Sequence, residues 1–299
     1  MIGTFRPAPR PDRQYGLDPG FLGTRDRAAL RILNRADVAT TAQLVRLVYH
    51  RRQTAQEHLS ALYRAGWLER AVLPPESRGG APLAFRLAAR ARRRLGYGPL
   101  TRSRAGTQLR HSLNIVETVA ALTGLAIELP DRHPVQAWLP ESITSDAKLP
   151  HVYPDSVVAL QLSGGSAVVC LEIDQSTEHA PQIRDKLARY EPALRSRVGW
   201  HVLFVVETAA RATYLARVAR DQGVYLGLTG RAWAIVLGDL KAEGVAARAV
   251  SLTPGRGPRT LTSIIDDPRP RRCATPVGSD AWLELLASGG GEDLHEALV

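Results

Sequence analysis

Two apolar runs meeting at a glycine pair leave the middle of this chain little freedom to be anything but a β-hairpin. Residues 152–162 and 167–174 both read as strands, and Ser163-Gly164-Gly165-Ser166 between them is a strong tight-turn signal. With the two glycines as the loop, Ser163 faces Ser166 and Asp155 faces Asp174. Glu172, two residues before Asp174, then projects from the same side, while Val158, Leu160, Leu162, Ala167, Val169, Leu171 and Ile173 form an apolar reverse face. Directly opposed side chains in such a pair lie about 5 Å apart. Asp155, Glu172 and Asp174 so close together repel one another unless one is protonated or a cation sits between them, and Mg²⁺ or Mn²⁺ is the natural choice for oxygen ligands. The plainer alternative is that these carboxylates only meet water at strand ends.

The flanking sequence extends the pattern. A helix from about His111 to Leu125 and a short strand at 135–139 precede the hairpin. After it, Pro181 suits the start of a helix with Ile183, Leu187, Tyr190 and Leu194 at helical spacing. Lys186 lies on the border of that apolar stripe, from which it can reach back to the carboxylates or extend into solvent. A strand at 201–206, a helix at 209–221 and a strand at 232–237 complete the order helix, three strands, helix, strand, helix, strand.

The first hundred residues follow a different plan. Three helical stripes are expected: Ala29, Leu30, Ile32 and Leu33; then Leu44, Leu47 and Val48 behind a Thr40-Thr41 cap; then Leu59 and Leu62, ending at Gly66. Strands at 67–73 and 83–87 flank the loop PPESRGGAP. This is the element order of a winged helix, whose third helix enters the DNA major groove. Its outward candidates are Arg51, Arg52, Gln53, Thr54 and Gln56, with Ser60 further along and Arg78 in the wing loop. Winged helices also serve as protein-protein modules. Arg90 to Arg94 offers a further phosphate contact or a solvated helix face.

Charge favours the nucleic-acid reading. Residues 1–110 carry 21 Arg against 7 Asp+Glu, whereas 111–299 carry 18 Lys+Arg against 22 Asp+Glu. Arg-rich codon usage would raise basicity everywhere, so this asymmetry joins a basic module that faces a polyanion to a module with another task. No stretch approaches the ~20 apolar residues a membrane helix needs, and the amino terminus has no apolar signal core, so a cytoplasmic protein is expected. Cys170 and Cys273 are far apart and form no metal-ligand spacing. Four segments result: a flexible arm (1–22), a winged-helix domain (23–100), an α/β domain (108–252) and a Pro/Gly/Arg-rich tail (253–299) with a short candidate helix at 280–287.

Pro154-Asp155 on one strand and Glu172-Ile173-Asp174 on the next resemble the Pro-Asp…Asp/Glu-x-Lys signature of the restriction-endonuclease-like fold. With Leu171, Thr177-Glu178, the Lys186-to-Tyr190 helix and His111-Ser112-Leu113, and with a winged helix in front, residues 20–250 resemble the replication-relaxation family of bacterial mobile-element proteins. The resemblance implies an α+β or α/β fold and action on double-stranded DNA in plasmid replication or DNA relaxation. It also implies metal-assisted phosphodiester cleavage if the site is active, with Asp155 and Glu172 holding the metal, Asp174 holding it or orienting a water, and Lys186 stabilising negative charge. One position departs from the signature: Asp174 stands where its Lys belongs. Lys186 from the next helix would replace that cation, and Glu117 would add a carboxylate; an inactive nuclease-like domain kept as a binding platform fits equally. A homodimer and replication or mobilisation proteins are the further partners this reading allows. A small-molecule enzyme is disfavoured, since the sequence has no phosphate-binding Gly loop and no nucleophile-base arrangement.

Overall fold

The computed structural model describes residues 4–8, 17–75, 80–97, 106–123, 135–140, 152–162, 165–196, 199–220, 230–253 and 255–265. These fall into two compact units that divide after Ala120. The protein is α+β, with a three-stranded sheet in the first unit and a seven-stranded mixed sheet in the second.

In the first unit, α1 (Thr24–Ala36) buries Leu30, Ile32 and Leu33 as its stripe predicts. The second helix starts with a reciprocal cap: Thr40 Oγ1 accepts the Gln43 amide N–H at 3.2 Å and Gln43 Oε1 accepts the Thr40 N–H at 2.9 Å. After the four residues of α2 (Thr41–Leu44) the coil widens to a π-helical turn, Val45–Tyr49, and His50 closes it with φ of 59°. α3 (Arg52–Arg64) buries Ala55, Leu59 and Leu62, and a hairpin of β2 (Leu68–Val72) and β3 (Leu83–Leu87) follows. The two-residue strand β1 (Ala39–Thr40) pairs with β3, giving the order β1-β3-β2. Next comes α4 (Ala89–Arg94), where Arg92 is buried and its guanidinium pKa lowered by that burial. A helix, α5 (Gly106–Thr123), was expected to open the second domain, but its residues up to Ala120 group with the first unit. Leu109 packs with Val38, Leu73 and Ala84, a contact that helical periodicity does not reveal.

The second unit is built on a sheet with the order β10-β9-β8-β7-β6-β5-β4. Its strands are β4 (Val135–Pro140), β5 (Ser156–Leu162), β6 (Gly165–Asp174), β7 (Trp200–Val206), β8 (Ala232–Val236), β9 (Arg248–Ser251) and β10 (Arg259–Thr260). β6, β7 and β8 run parallel, and the helices between them are α6 (Ala180–Ser196) and α7 (Ala209–Arg220). Successive crossovers of one hand in one direction put both helices on one face of the sheet. There Ile183, Leu187, Tyr190 and Leu215 pack on Cys170, Val202 and Phe204. Beyond β8 lie α8 (Leu237–Glu243) and α9 (Leu261–Ile265). The start of the segment read as a tail thus supplies an edge strand and a helix, with Leu261 and Ile264 buried; the candidate helix at 280–287 lies outside the described residues.

The hairpin differs from expectation in two respects. Leu162 faces Gly165 and Ser156 faces Leu171, a register two residues from the one Gly164-Gly165 predicts. A slip of two preserves the faces, so Glu172 and Asp174 remain together, but carrying the register one residue past Ser156 sets Asp155 beside Glu172 instead of Asp174. Second, both faces of the hairpin are buried, because the carboxylate side is the one covered by the helices.

Candidate functional site

The three predicted carboxylates come to the carboxyl-terminal end of β6, each with its own protein partner. Asp155 Oδ2 accepts the Ile173 backbone N–H at 2.7 Å, which closes the hairpin beyond its last ladder pair. Glu172 is 3% exposed; its Oε1 accepts the Tyr190 phenol at 2.5 Å and its Oε2 accepts Lys186 Nζ at 2.9 Å. Lys186 reaches on to Glu178 Oε1 at 2.7 Å. Asp174 receives a two-pronged contact from Arg211, Nε to Oδ2 at 2.9 Å and Nη2 to Oδ1 at 3.1 Å, and its Oδ1 also accepts the Ser176 N–H at 2.6 Å. Arg211 is fixed from behind by the Glu178 carbonyl at 2.7 Å and by the Tyr214 ring.

Burial sets the charges of this cluster. Desolvation, helped by the negative charge of Asp155, pushes the Glu172 carboxyl up to about 7, with Lys186 and Tyr190 acting in the opposite sense. Burial opposes the ammonium of Lys186 too, but the two glutamates more than offset it and hold its pKa above the ordinary lysine value. The Tyr190 phenol is pushed well above its ordinary range by burial and by Glu172. Glu172 is therefore a carboxyl that changes charge near neutrality beside a lysine that stays positive.

A divalent ion needs several oxygens converging at about 2.0–2.1 Å for Mg²⁺. Among the described residues no group of three or more His, Cys, Asp or Glu side chains is placed to hold one. Asp174 is turned to Arg211, and both Glu172 oxygens are taken by Tyr190 and Lys186. In this arrangement the expected donor set does not fit the ion. Glu117, the additional carboxylate, is bound within the first unit by Arg46 Nη1 at 2.6 Å and Gln43 Nε2 at 3.0 Å.

Lys186, for which both a carboxylate contact and solvent were open, reaches Glu172 and Glu178; Tyr190 and Arg211 were missed as partners. Tyr190 had a readable signal, since it lies four residues after Lys186 and hence on the same helix face one turn on. Arg211 had none, because its approach depends on how α7 docks against the end of β6.

The second candidate surface is α3. Its first turn presents Arg51, Arg52, Gln53 and Gln56 to solvent with Ser60 further along, while Thr54 is half-buried. Gln53 Nε2 also bonds Glu57 Oε1 at 3.0 Å. Arg90 and Arg93 are exposed on α4, and Arg94 bonds the Leu17 carbonyl. Arg78 lies outside the described residues.

Fold and site together define a mixed α+β protein that joins a helical unit containing a small three-stranded sheet to a mixed-sheet unit with a buried carboxylate–lysine–tyrosine cluster. The family model described as replication-relaxation matches residues 30–203, more than half of the chain, and the chain belongs to that family. No curated protein and no solved structure matches it. No described helix is long and apolar enough to cross a membrane.

Proposed function

We propose that this protein binds double-stranded DNA and acts in the replication or relaxation of plasmid or mobile-element DNA, without cutting it. In this reading the first unit is a winged helix that lays the first turns of α3 in the major groove, and the second is a restriction-endonuclease-like scaffold kept as a platform for a second copy or for replication or mobilisation proteins. The observation that carries it is the division of α3: Ala55, Leu59 and Leu62 are buried, while Arg51, Arg52, Gln53 and Gln56 are exposed together at its amino-terminal end. Arg reads guanine or phosphate and Gln reads adenine from that position. The non-cutting half rests on the engagement of Glu172 and Asp174 with Lys186, Tyr190 and Arg211.

One observation favours a metal-dependent endonuclease as the second reading. Asp155 accepts the backbone N–H of Ile173, next in sequence to Glu172, near enough for its charge to act on Glu172, and Lys186 bonds Glu172. Incubating supercoiled plasmid carrying the native flanking sequence with the protein and Mg²⁺ or Mn²⁺, beside an Asp155→Ala control, separates the two. Intact plasmid with DNA binding retained is the expected result. Open-circle or linear product that disappears in the variant would establish the endonuclease instead.

A further inference from the structure

Residues 4–8 of the amino-terminal segment lie along the edge of β2. Arg6 N–H donates to the Arg70 carbonyl at 2.8 Å and Arg70 N–H returns the bond at 3.1 Å, an isolated antiparallel bridge. Residues paired in this way sit about 5.5 Å apart at Cα and send their side chains to the same side. The two arginines thus leave the sheet edge from directly paired positions, where like charges are unfavourable. Glu69, next in sequence to Arg70, does not relieve it, since Glu69 Oε2 is taken by Arg86 at 2.6 and 2.7 Å. Among the described residues neither Arg6 nor Arg70 forms an ion pair, and both are exposed.

The surroundings fix this arrangement. Arg70 stacks over Tyr63, 4.3 Å from the ring centroid, and the Tyr63 phenol donates to the Pro7 carbonyl at 3.0 Å. Arg86 covers the Phe5 ring at 4.6 Å, so three successive residues of the segment are anchored. Stacking occupies the face of a guanidinium and leaves its in-plane N–H donors available, the geometry that suits a tetrahedral oxyanion. Arg6 and Arg70 border an open cavity of about 490 Å³ walled by Thr4, Pro7, Tyr63 and Val72.

We propose that Arg6 and Arg70 form an anion clamp that takes a backbone phosphodiester of duplex DNA, outside the groove read by α3. This rests on the DNA-binding reading above. A phosphate between the two heads converts their repulsion into two charge-assisted contacts, and the segment before α1 becomes part of the DNA interface.

Fluorescence anisotropy of the full chain with labelled duplex, titrated at several KCl concentrations, tests this with wild type, an Arg6→Ala/Arg70→Ala variant, the matching Arg→Lys variant and Arg52→Ala. The Ala pair is expected to bind about tenfold more weakly on every sequence and to lose about 1 from the slope of log K against log salt, with the Lys pair recovering the slope. An unchanged slope in the Ala pair, with binding still sensitive to Arg52→Ala, overturns the clamp and leaves the DNA reading intact. Wild type that binds no duplex at any salt overturns both. Thermal melts with inorganic phosphate complete the test: stabilisation of wild type but not of the Ala pair, without a change in DNA slope, assigns the clamp to a free phosphate and overturns the duplex assignment.

Discussion

The Tyr190 phenol donates to Glu172 Oε1 at 2.5 Å and thereby ties the middle of α6 to the end of β6. Both residues are buried, and the helix supplies a second donor from Lys186 one turn earlier. Tyr190→Phe keeps the ring and leaves that carboxylate oxygen without its donor. A loss of about 1–3 kcal/mol is expected, read by urea denaturation of the second unit. An unchanged midpoint would mean that the bond contributes nothing net.

The raised carboxyl of Glu172 makes stability depend on pH with a defined sign. Its folded value of about 7 lies above the ordinary 4.5, so between these limits the folded state holds more protons than the unfolded one. Stability from this group is greatest at acid pH, falls as pH rises through that window and is flat above it. Lys186, held above its ordinary 10.5, stays charged throughout. Denaturation midpoints of wild type and Glu172→Gln measured from acid to neutral pH should differ by this slope; parallel curves would place the proton elsewhere.

Asp174 and Arg211 form a well-buried ion pair, with side chains 2% and 11% exposed. Removing one partner by Asp174→Ala strands the guanidinium and is expected to cost about 3–5 kcal/mol. Replacing both, with Asp174→Leu and Arg211→Met, should recover most of that loss in a double-mutant cycle. Additive losses would show that the two act independently.

Arg52→Ala and Gln56→Ala remove exposed groups from α3 without touching its buried stripe. Melting temperature is expected to hold. Against the best duplex each variant should lose about 1–3 kcal/mol if it reads a base, with specificity relaxed at one position. Equal losses on all duplexes would make the contact one to phosphate.

Local sequence made much of this protein legible. The stripes at Leu30–Leu33, Leu44–Val48 and Leu59–Leu62, the Thr40 cap and the strands on either side of the PPESRGGAP loop follow from periodicity and capping chemistry, which act over a few residues. In the second unit, alternation placed Glu172 and Asp174 on one face, and helical spacing put Lys186 within reach of them. The faces survived a misjudged register because the slip was even.

What neighbours surround those residues was decided by tertiary packing. Parallel pairing of β6, β7 and β8 brings α6 and α7 over the carboxylate side, and only that turns strand-end acids into buried, partnered ones. Arg211 meets Asp174 across 37 residues, and Arg6 meets Arg70 along a sheet edge. The sequence alone determined which side chains could share a face, since backbone periodicity is local. Which charge lies opposite which depends on the docking of distant segments, and only the folded chain decides that.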